Sequence, residues 1–481
     1  MHLTYNEMSA CLGLAPIEED RLLTSAVTDS RDAKPGALFV CIRGEHVDGH
    51  DFAPKAEKAG VTAVLASRAL PQANVPVLLV PDTVRALGRL ASHWRHAARA
   101  KVIGITGTAG KTSLKELLAQ LLTTRGKTAC NALNFNNRIG MPRAMLTAYG
   151  DEDFWVMEVG INREGDIEEL GEVLRPDLGV ILNVGAGHTE RLGKKGIAAN
   201  KAALLRYLAP GGCGLISADY PDLTCEAAAT GAAQHFFSAR NTSVEYHAVY
   251  EGLANQPGDS CATRGRYRLC LGGEWLSVTA PFCGTYGAEN CIAAAAAAHL
   301  TGLSNDEIAT GFAQATAPAQ RFFRKRLGLW DVIDDTYNAN PLSMRRMLEA
   351  AAELAAGRIF VPVLGEMLEL GDIAAEEHEK LGGCLAGLAP AGVIWKGGHA
   401  SDLCEGLKRG GYRGAFFAIR ERGDFLAVVE NLLREATPDE ESGGLLLFKG
   451  SRNNRLEKEF EDFCAFCSAR PKAAEKIPGE N

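Results

Sequence analysis

Apolar and polar positions alternate along this chain in two different periods, and together they predict an α/β protein. Short apolar runs recur from the first hundred residues to the last, and stretches with apolar residues three or four positions apart separate them. The runs have the length of buried strands, and the stretches have the spacing of amphipathic helices. Strands that alternate with helices in this way indicate parallel sheets joined by right-handed crossovers.

The pattern divides the chain into three segments, and a length of 481 residues is typical of about three domains. Residues 1–98 contain the runs ALFVCI, VTAVLAS and VPVLLV and predict a small α/β domain. Residues 99–317 contain KVIGIT, FWVMEV, LGVILNV and GGCGLIS and predict a central domain with a mainly parallel sheet. Residues 318–481 contain LWDVIDD, RIFVPVLG, AGVIWKG and GLLLFKG and predict an open Rossmann-like domain. Ligands of such sheets bind at the carboxyl ends of the strands.

The first strand of the central segment leads into a glycine-containing turn that predicts a phosphate-binding loop. Residues 101–112 are KVIGITGTAGKT, and the SLKELLAQLL that follows has helical spacing. The glycines allow backbone N–H groups to close around phosphate oxygens, while Lys111 supplies a cation and Thr112 a hydroxyl ligand for Mg²⁺. The strict motif would have glycine at position 105, where this chain has Ile105. The predicted nucleotide contacts are Gly107, Thr108, Ala109, Gly110, Lys111, Thr112 and Ser113.

Two further strands of the central segment end in side chains suited to a divalent cation. FWVME places Glu158 at a strand terminus, and GVILNVGAGHTE places His188 just beyond another strand. Mg²⁺ prefers oxygen ligands and keeps several waters, so Thr112, Glu158 and substrate phosphates form the expected shell. His188 is an additional candidate, although taken alone it also fits a loop histidine that is satisfied by the backbone.

Composition restricts the classes of partner and compartment. The chain has 51 basic and 59 acidic side chains and a net charge of −8, which offers no general attraction for nucleic acid. Thirteen cysteines, an odd number, argue against a disulfide framework. The N-terminal stretch lacks the pattern of a signal peptide, and the alanine-rich run 293–298 is too short to span a bilayer. We therefore expect a cytoplasmic protein without a nucleic-acid partner, and a monomer is the default.

Seven runs taken together resemble the Mur ligases, the ATP-dependent enzymes that add amino acids in peptidoglycan synthesis. In the family's order they are TGTAGKT (106–112), NFNNRIGMP (134–142), MEVGINREGDI (157–167), LNVGAGHTERLG (182–193), DDTYNANPLSM (334–344), LGEMLELG (364–371) and FKGSR (448–452). The stretch TDSRDAKPGALFVCIRGEHVDGHDF at residues 28–52 is similar to a uridine-nucleotide-binding domain of the family. The GINREGDI and DDTYNAN runs resemble those of the members that add D-alanyl-D-alanine.

The resemblance implies a small α/β UDP-binding domain, a central P-loop parallel-sheet ATPase domain and a C-terminal Rossmann-like domain. It also implies an ATP-dependent ligase that joins D-alanyl-D-alanine to UDP-N-acetylmuramoyl-tripeptide through an acyl phosphate, with ATP and two Mg²⁺ ions. A bare carboxylate is a poor acyl donor, whereas phosphate is a good leaving group. Because like charges meet in the first step, catalysis would depend on neutralising and aligning anions.

Five catalytic positions follow from the resemblance: Lys111, Glu158, His188, Lys201 and Arg321. Lys201 matches a carbamylated lysine of the family and would join Thr112, Glu158 and His188 around the metal. Carbamylation requires a neutral amine and hence a depressed pKa, whereas Lys201 taken alone fits an ordinary lysine on a helix surface. Arg321 resembles an arginine that reaches the γ-phosphate when the C-terminal domain closes.

The resemblance implies further contacts with ATP and with the two other substrates. For ATP they are Asn290 at the adenine, Arg321 at the phosphates, Asp335 at the ribose, and Tyr337 and Asn338 in the same loop. Tyr286 stands where the family has a histidine, and a tyrosine can also stack on a base. For the UDP-peptide the matched residues are Ser30, Arg31, Arg43, Asp48 and His50. For the incoming dipeptide the candidates are Asn136, Asn137, Asn340, Lys449, Ser451 and Arg452.

Two other interpretations stay open on the sequence alone. A sibling ligase, such as a folate polyglutamate synthetase or another Mur enzyme, would share the phosphate loop, although folate ligases lack the TDSR domain and the GINREGDI run. A regulatory nucleotide switch would also need a phosphate loop and Mg²⁺. A GTPase of that kind would carry N-K-x-D for guanine, whereas the nearest run here is NKAA at residues 200–203.

Overall fold

The computed structural model describes most of the chain and contains four sheets among the described residues: two in the N-terminal segment, one in the central segment and one in the C-terminal segment. The described residues are 1–132, 135–186, 196–254, 264–318, 320–420, 422–436 and 443–469. The prediction of an α/β fold with parallel sheets is confirmed. Among the described residues, no helix combines the length and the hydropathy that crossing a membrane requires.

The N-terminal segment is built on four parallel strands. Its elements are β1 (Leu3–Thr4), α1 (Tyr5–Leu12), β2 (Leu22–Leu23), β3 (Ser25–Val27), β4 (Ala37–Val40), α2 (Ala53–Lys58), β5 (Ala63–Ala66), β6 (Val77–Leu79) and α3 (Thr83–Ala97). The strand order is β3–β4–β5–β6, and every neighbouring pair is parallel. Asp82 directly precedes α3, and its carboxylate accepts the backbone N–H groups of Val84 and Arg85 and so caps the helix.

The central segment contains nine strands in one sheet. Its elements are β7 (Lys101–Thr106), α4 (Lys111–Leu122), β8 (Thr128–Cys130), α5 (Gly140–Met145), β9 (Phe154–Glu158), α6 (Asp166–Leu174), β10 (Leu178–Ile181), α7 (Gly196–Ala202), β11 (Cys213–Ser217), α8 (Pro221–Ala228), β12 (Gln234–Ser238), β13 (Tyr246–Leu253), β14 (Gly265–Leu271), β15 (Glu274–Ala280), α9 (Gly284–Leu300) and α10 (Asn305–Gln314). The strand order is β15–β14–β13–β12–β11–β10–β7–β9–β8. Strands β13 to β8 in this order are parallel, while β14 and β15 add an antiparallel meander that the sequence analysis did not predict.

Helix α9 is deeply buried in the central segment. The side chains of residues 293–298, all alanine, are fully buried. The helix packs against α4 and the strands β13 and β14. Alanine leaves little bulk on any face, so the helix can lie between other elements instead of covering a sheet with one side. This helix carries residues that line the site described below.

The C-terminal segment is a six-stranded sheet with helices on its faces. Its elements are β16 (Phe323–Leu327), β17 (Trp330–Asp335), α11 (Pro341–Ala355), β18 (Ile359–Gly365), α12 (Ala374–Leu388), β19 (Gly392–Lys396), α13 (Ala400–Arg409), β20 (Ala415–Ile419), α14 (Arg422–Ala436), β21 (Gly444–Lys449) and α15 (Glu457–Ala469). The strand order is β16–β17–β21–β18–β19–β20, with only β16 antiparallel. Helices α12 and α13 approach so closely at Gly406 that a Cβ there would overlap the carbonyl oxygen of Glu379.

Candidate active site

Strand ends from the central and C-terminal sheets meet at one cleft between the two segments. Strands β7 and β9 lead into the cleft from the central sheet, and β17 and β21 lead into it from the C-terminal sheet. The predicted residues that line it are Gly107, Thr108, Ala109, Gly110, Lys111, Thr112, Ser113, Asn136, Glu158, Lys201, Asn290, Arg321, Asp335, Tyr337, Asn338, Asn340 and Lys449. The phosphate loop, Glu158, Asp335 and Lys449 therefore lie at the carboxyl ends of parallel strands, where the rule for such sheets places ligands.

The turn between β7 and α4 has the geometry of a helix-opening loop. Gly110 has φ +80°, in the left-handed region, and the helix begins at the next residue, Lys111. The side-chain oxygen of Asn183 accepts the backbone N–H groups of Thr108 (3.0 Å) and Ala109 (2.9 Å). The Lys111 ammonium group lies back over the loop and donates to the carbonyl oxygen of Gly107 at 2.9 Å. Asn183, which follows β10, thus fixes the loop, and it is not among the site residues predicted from the sequence.

Glu158 and Thr112 place oxygen atoms side by side in the cleft. The Thr112 hydroxyl donates to one carboxylate oxygen of Glu158 at 2.7 Å, and the Asn136 amide donates to the other at 2.7 Å. Glu158 is 2 % exposed, and the Asn131 amide pairs with its backbone N–H and carbonyl group. A buried carboxylate in this position is fixed in orientation and can face a cation in the cleft.

Lys201 lies inside the protein, so its interpretation as a helix-surface lysine is wrong. Its side chain is 5 % exposed and lines the cleft near Lys111. Burial lowers the pKa of Lys201 well below its ordinary value, and the positive charge of Lys111 lowers it further. Burial also lowers the pKa of Lys111, which Glu158 opposes and Arg321 reinforces. Lys111 and Arg321 therefore bring cationic groups to this part of the cleft, while the surroundings of Lys201 favour its neutral amine.

Arg321 links the C-terminal segment to the phosphate loop. Its guanidinium group lies 3.3 Å from the Thr112 hydroxyl, and its central carbon is 4.0 Å from the ring centre of Tyr337. The stacking holds the planar guanidinium in one orientation. A second link is the Asn340 amide, which donates to the carbonyl oxygen of Thr108 at 3.2 Å.

Asp335 and Lys449 form a buried ion pair in the C-terminal wall of the cleft. The Lys449 ammonium group is 2.6 Å from one carboxylate oxygen of Asp335 and 3.0 Å from the carbonyl oxygen of Asn338. The other carboxylate oxygen of Asp335 accepts the Phe322 N–H at 3.2 Å. Both groups are engaged within the protein, so the contacts of Asp335 with a ribose and of Lys449 with a dipeptide stay predictions.

Asn290 and Tyr286 bring two unpaired polar atoms to the wall of the cleft. The Asn290 amide N–H₂ donates to the Tyr286 carbonyl oxygen at 3.2 Å. The Asn290 side-chain oxygen and the Tyr286 hydroxyl are buried and have no hydrogen-bond partner within the described residues. Buried polar atoms without partners cost free energy, so these two are available to a ligand in the cleft.

A second, smaller cavity adjoins the cleft on the C-terminal side. The predicted residues Asn338, Asn340, Ser451 and Arg452 line it. The Ser451 hydroxyl accepts the Leu368 N–H at 2.9 Å, which ties the loop after β18 to the loop after β21. Asn137, by contrast, accepts the N–H groups of Ile139 and Gly140 and so stabilises the start of α5.

The predicted UDP-binding residues of the N-terminal segment lie apart from the cleft-lining residues. Arg31 is exposed and pairs with Asp29, and Ser30 is buried. Asp48 contacts the His50 ring at 2.5 Å and also pairs through its backbone with Arg43. His188 falls outside the described residues.

Comparison with known proteins gives the family. The Mur ligase family catalytic domain matches residues 24–95, the Mur ligase middle domain matches residues 105–298, and the Mur ligase glutamate ligase domain matches residues 320–452. The UDP-N-acetylmuramoyl-tripeptide--D-alanyl-D-alanine ligase of Escherichia coli (strain K12) is 32% identical over 453 residues, which cover 91% of this chain and 93% of that protein.

Solved structures give the same family. The crystal structure of MurF from Acinetobacter baumannii has a TM-score of 0.85 and 28% identity, covering 97% of this chain and 99% of that one. The MurF ligase of Thermotoga maritima, solved in complex with ADP, has a TM-score of 0.77 and 25% identity, covering 93% and 98%. With matched domains in all three segments and these relatives along nearly its whole length, the chain belongs to the Mur ligase family.

Proposed function

We propose that this chain is the ATP-dependent ligase that adds D-alanyl-D-alanine to UDP-N-acetylmuramoyl-tripeptide. The observation that carries the proposal is the cleft in which the phosphate loop, Glu158 and Arg321 converge from two domains of a Mur ligase. The E. coli relative is named for this reaction. The domain division that fits it is 1–98 for the UDP-substrate, 99–317 for ATP and 318–481 for ligation.

The first step is phosphoryl transfer to a carboxylate. The terminal carboxylate oxygen of the tripeptide attacks the γ-phosphorus of ATP, and the bond from that phosphorus to the bridging oxygen of ADP breaks. Lys111 and Arg321 neutralise the charge of the phosphates, and the loop at residues 107–113 aligns them. Positioning and charge neutralisation account for catalysis of this kind.

The second step is attack of the dipeptide amine on the acyl carbon. Inorganic phosphate leaves with the bond electrons, and the amine gives up a proton as the amide forms. The second cavity, with Asn340, Ser451 and Arg452 on its wall, adjoins the cleft and fits a zwitterionic dipeptide, since Arg452 offers a guanidinium for its carboxylate.

Mg²⁺ fits the residues present on the central wall of the cleft. The described residues contain no cluster of three or more His, Cys, Asp or Glu side chains suited to a metal. Thr112 and Glu158 nevertheless offer adjacent oxygen atoms, and Mg²⁺ is commonly held by one or two such ligands together with phosphates and water. Bound there, the ion would neutralise negative charge on the phosphates. A second ion near His188 stays a prediction.

The surroundings of Lys201 are compatible with carbamylation of its amine. Its burial and the nearby Lys111 favour the neutral amine, which is the form that adds to CO₂ with loss of a proton. The resulting carbamate is an anion, so it would relieve the repulsion between Lys201 and Lys111. It would also add oxygen ligands beside Glu158.

A coupled phosphate-release assay tests the function. The enzyme is given ATP, Mg²⁺ and each of the four successive UDP-N-acetylmuramoyl precursors with its matching amino acid or dipeptide. Phosphate release confined to the tripeptide with D-alanyl-D-alanine is the expected result. Release with another precursor would assign a different Mur reaction, and release without any precursor would support a nucleotide switch.

A further inference from the structure

A buried polar network joins the C-terminal domain to the phosphate loop. Arg346 of helix α11 forms two parallel hydrogen bonds with the Glu289 carboxylate, at 2.7 Å and 3.0 Å. Tyr220 donates to the same carboxylate at 3.0 Å and accepts from Arg346 at 2.7 Å. The side chain of Glu289 is 3 % exposed and that of Arg346 is 11 % exposed.

The same network continues to the backbone of the phosphate loop. The Asn183 amide N–H₂ donates to Glu289 at 2.7 Å and to the carbonyl oxygen of Ala109 at 2.9 Å. The amide oxygen of Asn183 accepts the N–H groups of Thr108 and Ala109. One amide therefore contacts both the loop that would hold the phosphates and the carboxylate that pairs with the other domain.

Arg346 crosses between domains, whereas its partners do not. Glu289 lies on α9, Tyr220 precedes α8 and Asn183 follows β10, all in the central segment. If the C-terminal domain moved away, the Glu289 carboxylate would keep its hydrogen bonds with Tyr220 and Asn183 but lose its cationic partner. A buried charge that loses its partner is strongly unfavourable, so the pair favours the domain arrangement seen here. Bidentate geometry also makes the contact specific in distance and angle.

We propose that Arg346 is a positioning residue, which latches the closed C-terminal domain to Glu289 and, through Asn183, fixes the phosphate loop for phosphoryl transfer. The inference rests on the proposed ligase function, because it assigns the latch to that reaction. The latch forms only when the domains are closed. Its loss therefore slows the closed-state step and leaves the binding of ATP to the open enzyme nearly unchanged.

The experiment compares Arg346→Met with Arg345→Met in the full-length enzyme. Arg345 is the adjacent arginine on the same helix and is exposed, which makes it the matched control. Steady-state rates are measured per folded molecule, at a temperature well below unfolding. For Arg346→Met we expect kcat to fall about tenfold or more and KM for ATP to stay within about threefold. For Arg345→Met both should stay within about twofold of the wild type.

A double variant, Glu289→Gln with Arg346→Met, separates positioning from charge balance. It removes the unpaired buried carboxylate while the new amide can still accept from Asn183. We expect its thermal stability to return toward the wild type while kcat stays low. Recovery of kcat together with stability would overturn the latch, because the pair would then only balance charge.

Small-angle X-ray scattering adds a readout that does not need turnover. With UDP-tripeptide and a nonhydrolysable ATP analogue, the wild type and Arg345→Met should become more compact, and Arg346→Met should compact less. Equal compaction and equal kcat in the two single variants would refute the latch. Wild-type inactivity on the tripeptide would instead refute the proposed function, and the same scattering comparison with the ATP analogue alone would then decide on the latch.

Discussion

Both walls of the cleft contain buried lysines, but the charged groups next to these lysines differ. On the central wall, burial and the positive charge of Lys111 lower the pKa of Lys201, and no carboxylate among the described residues opposes this shift. On the C-terminal wall, the buried Lys449 has Asp335 at 2.6 Å. A buried cation with a carboxylate partner holds structure together. A buried amine beside another cation is suited to bind an anion or to react as the neutral base.

Breaking the pair on the C-terminal wall should have the largest effect on stability. Lys449→Met leaves Asp335 buried without its partner, which should lower the free energy of unfolding by about 3–5 kcal/mol. Urea denaturation followed by circular dichroism measures it. The double variant Asp335→Asn with Lys449→Met should recover much of the loss, and a double variant as unstable as the single one would contradict the pairing argument.

Removing the Lys201 amine from the central wall should instead lower the catalytic activity. Lys201→Ala should lower kcat at least about 100-fold, because the carbamate proposed at this position would be lost from the phosphate site. The midpoint of thermal unfolding should not fall, since burial of this amine opposes its charge. Acetate or formate should restore part of the activity by replacing the missing carboxylate. Full activity without any added acid would show that Lys201 has no part in the chemistry.

Glu158→Gln tests the oxygen ligands of the central wall. The amide keeps the shape and the contact with Thr112 but loses the charge that favours Mg²⁺. The Mg²⁺ concentration for half-maximal activity should rise about 10- to 100-fold. Glu172→Gln, an exposed position on α6, is the control and should leave it unchanged. An unchanged Mg²⁺ requirement in Glu158→Gln would exclude Glu158 as a ligand.

The smallest expected effect is a pH dependence of stability that arises from His378 in the C-terminal segment. Burial lowers the pKa of His378 below its ordinary value of 6.5, and its ring accepts the Met367 N–H next to the second cavity. The unfolded chain therefore binds this proton more readily than the folded one. Stability should fall as the pH drops below 6.5, and His378→Gln should flatten that slope. Chemical denaturation at about pH 7.5 and about pH 5.5 measures the loss of stability in the wild type and in His378→Gln. An equal loss in the two proteins would contradict the role of His378.

Much of the fold and of the cleft could be predicted from the sequence because the information is local. The phosphate loop lies between a strand and a helix, and Glu158 ends a strand, so the edge of a parallel sheet brings them together. The meander β13–β15 was missed, although Gly272 and Gly273, both with positive φ, gave a hairpin signal.

The remaining features depend on distant contacts. Lys201 has no pattern around it that reveals its burial, since a lysine on a short helix is most often exposed. The pairing of Glu289 with Arg346 joins residues from two domains, and neither neighbourhood is unusual by itself. The UDP-binding residues could be matched by resemblance, yet Asp48 and His50 contact each other in the structure, so their roles stay predictions.

Isotope transfer tests the central claim most directly. UDP-tripeptide labelled with ¹⁸O in its terminal carboxylate is incubated with ATP, Mg²⁺ and D-alanyl-D-alanine, and the released nucleotide and phosphate are analysed by mass spectrometry. Attack of the carboxylate on the γ-phosphorus predicts one ¹⁸O atom in each inorganic phosphate and none in ADP. Unlabelled phosphate, or label in AMP, would contradict an acyl phosphate formed in this cleft.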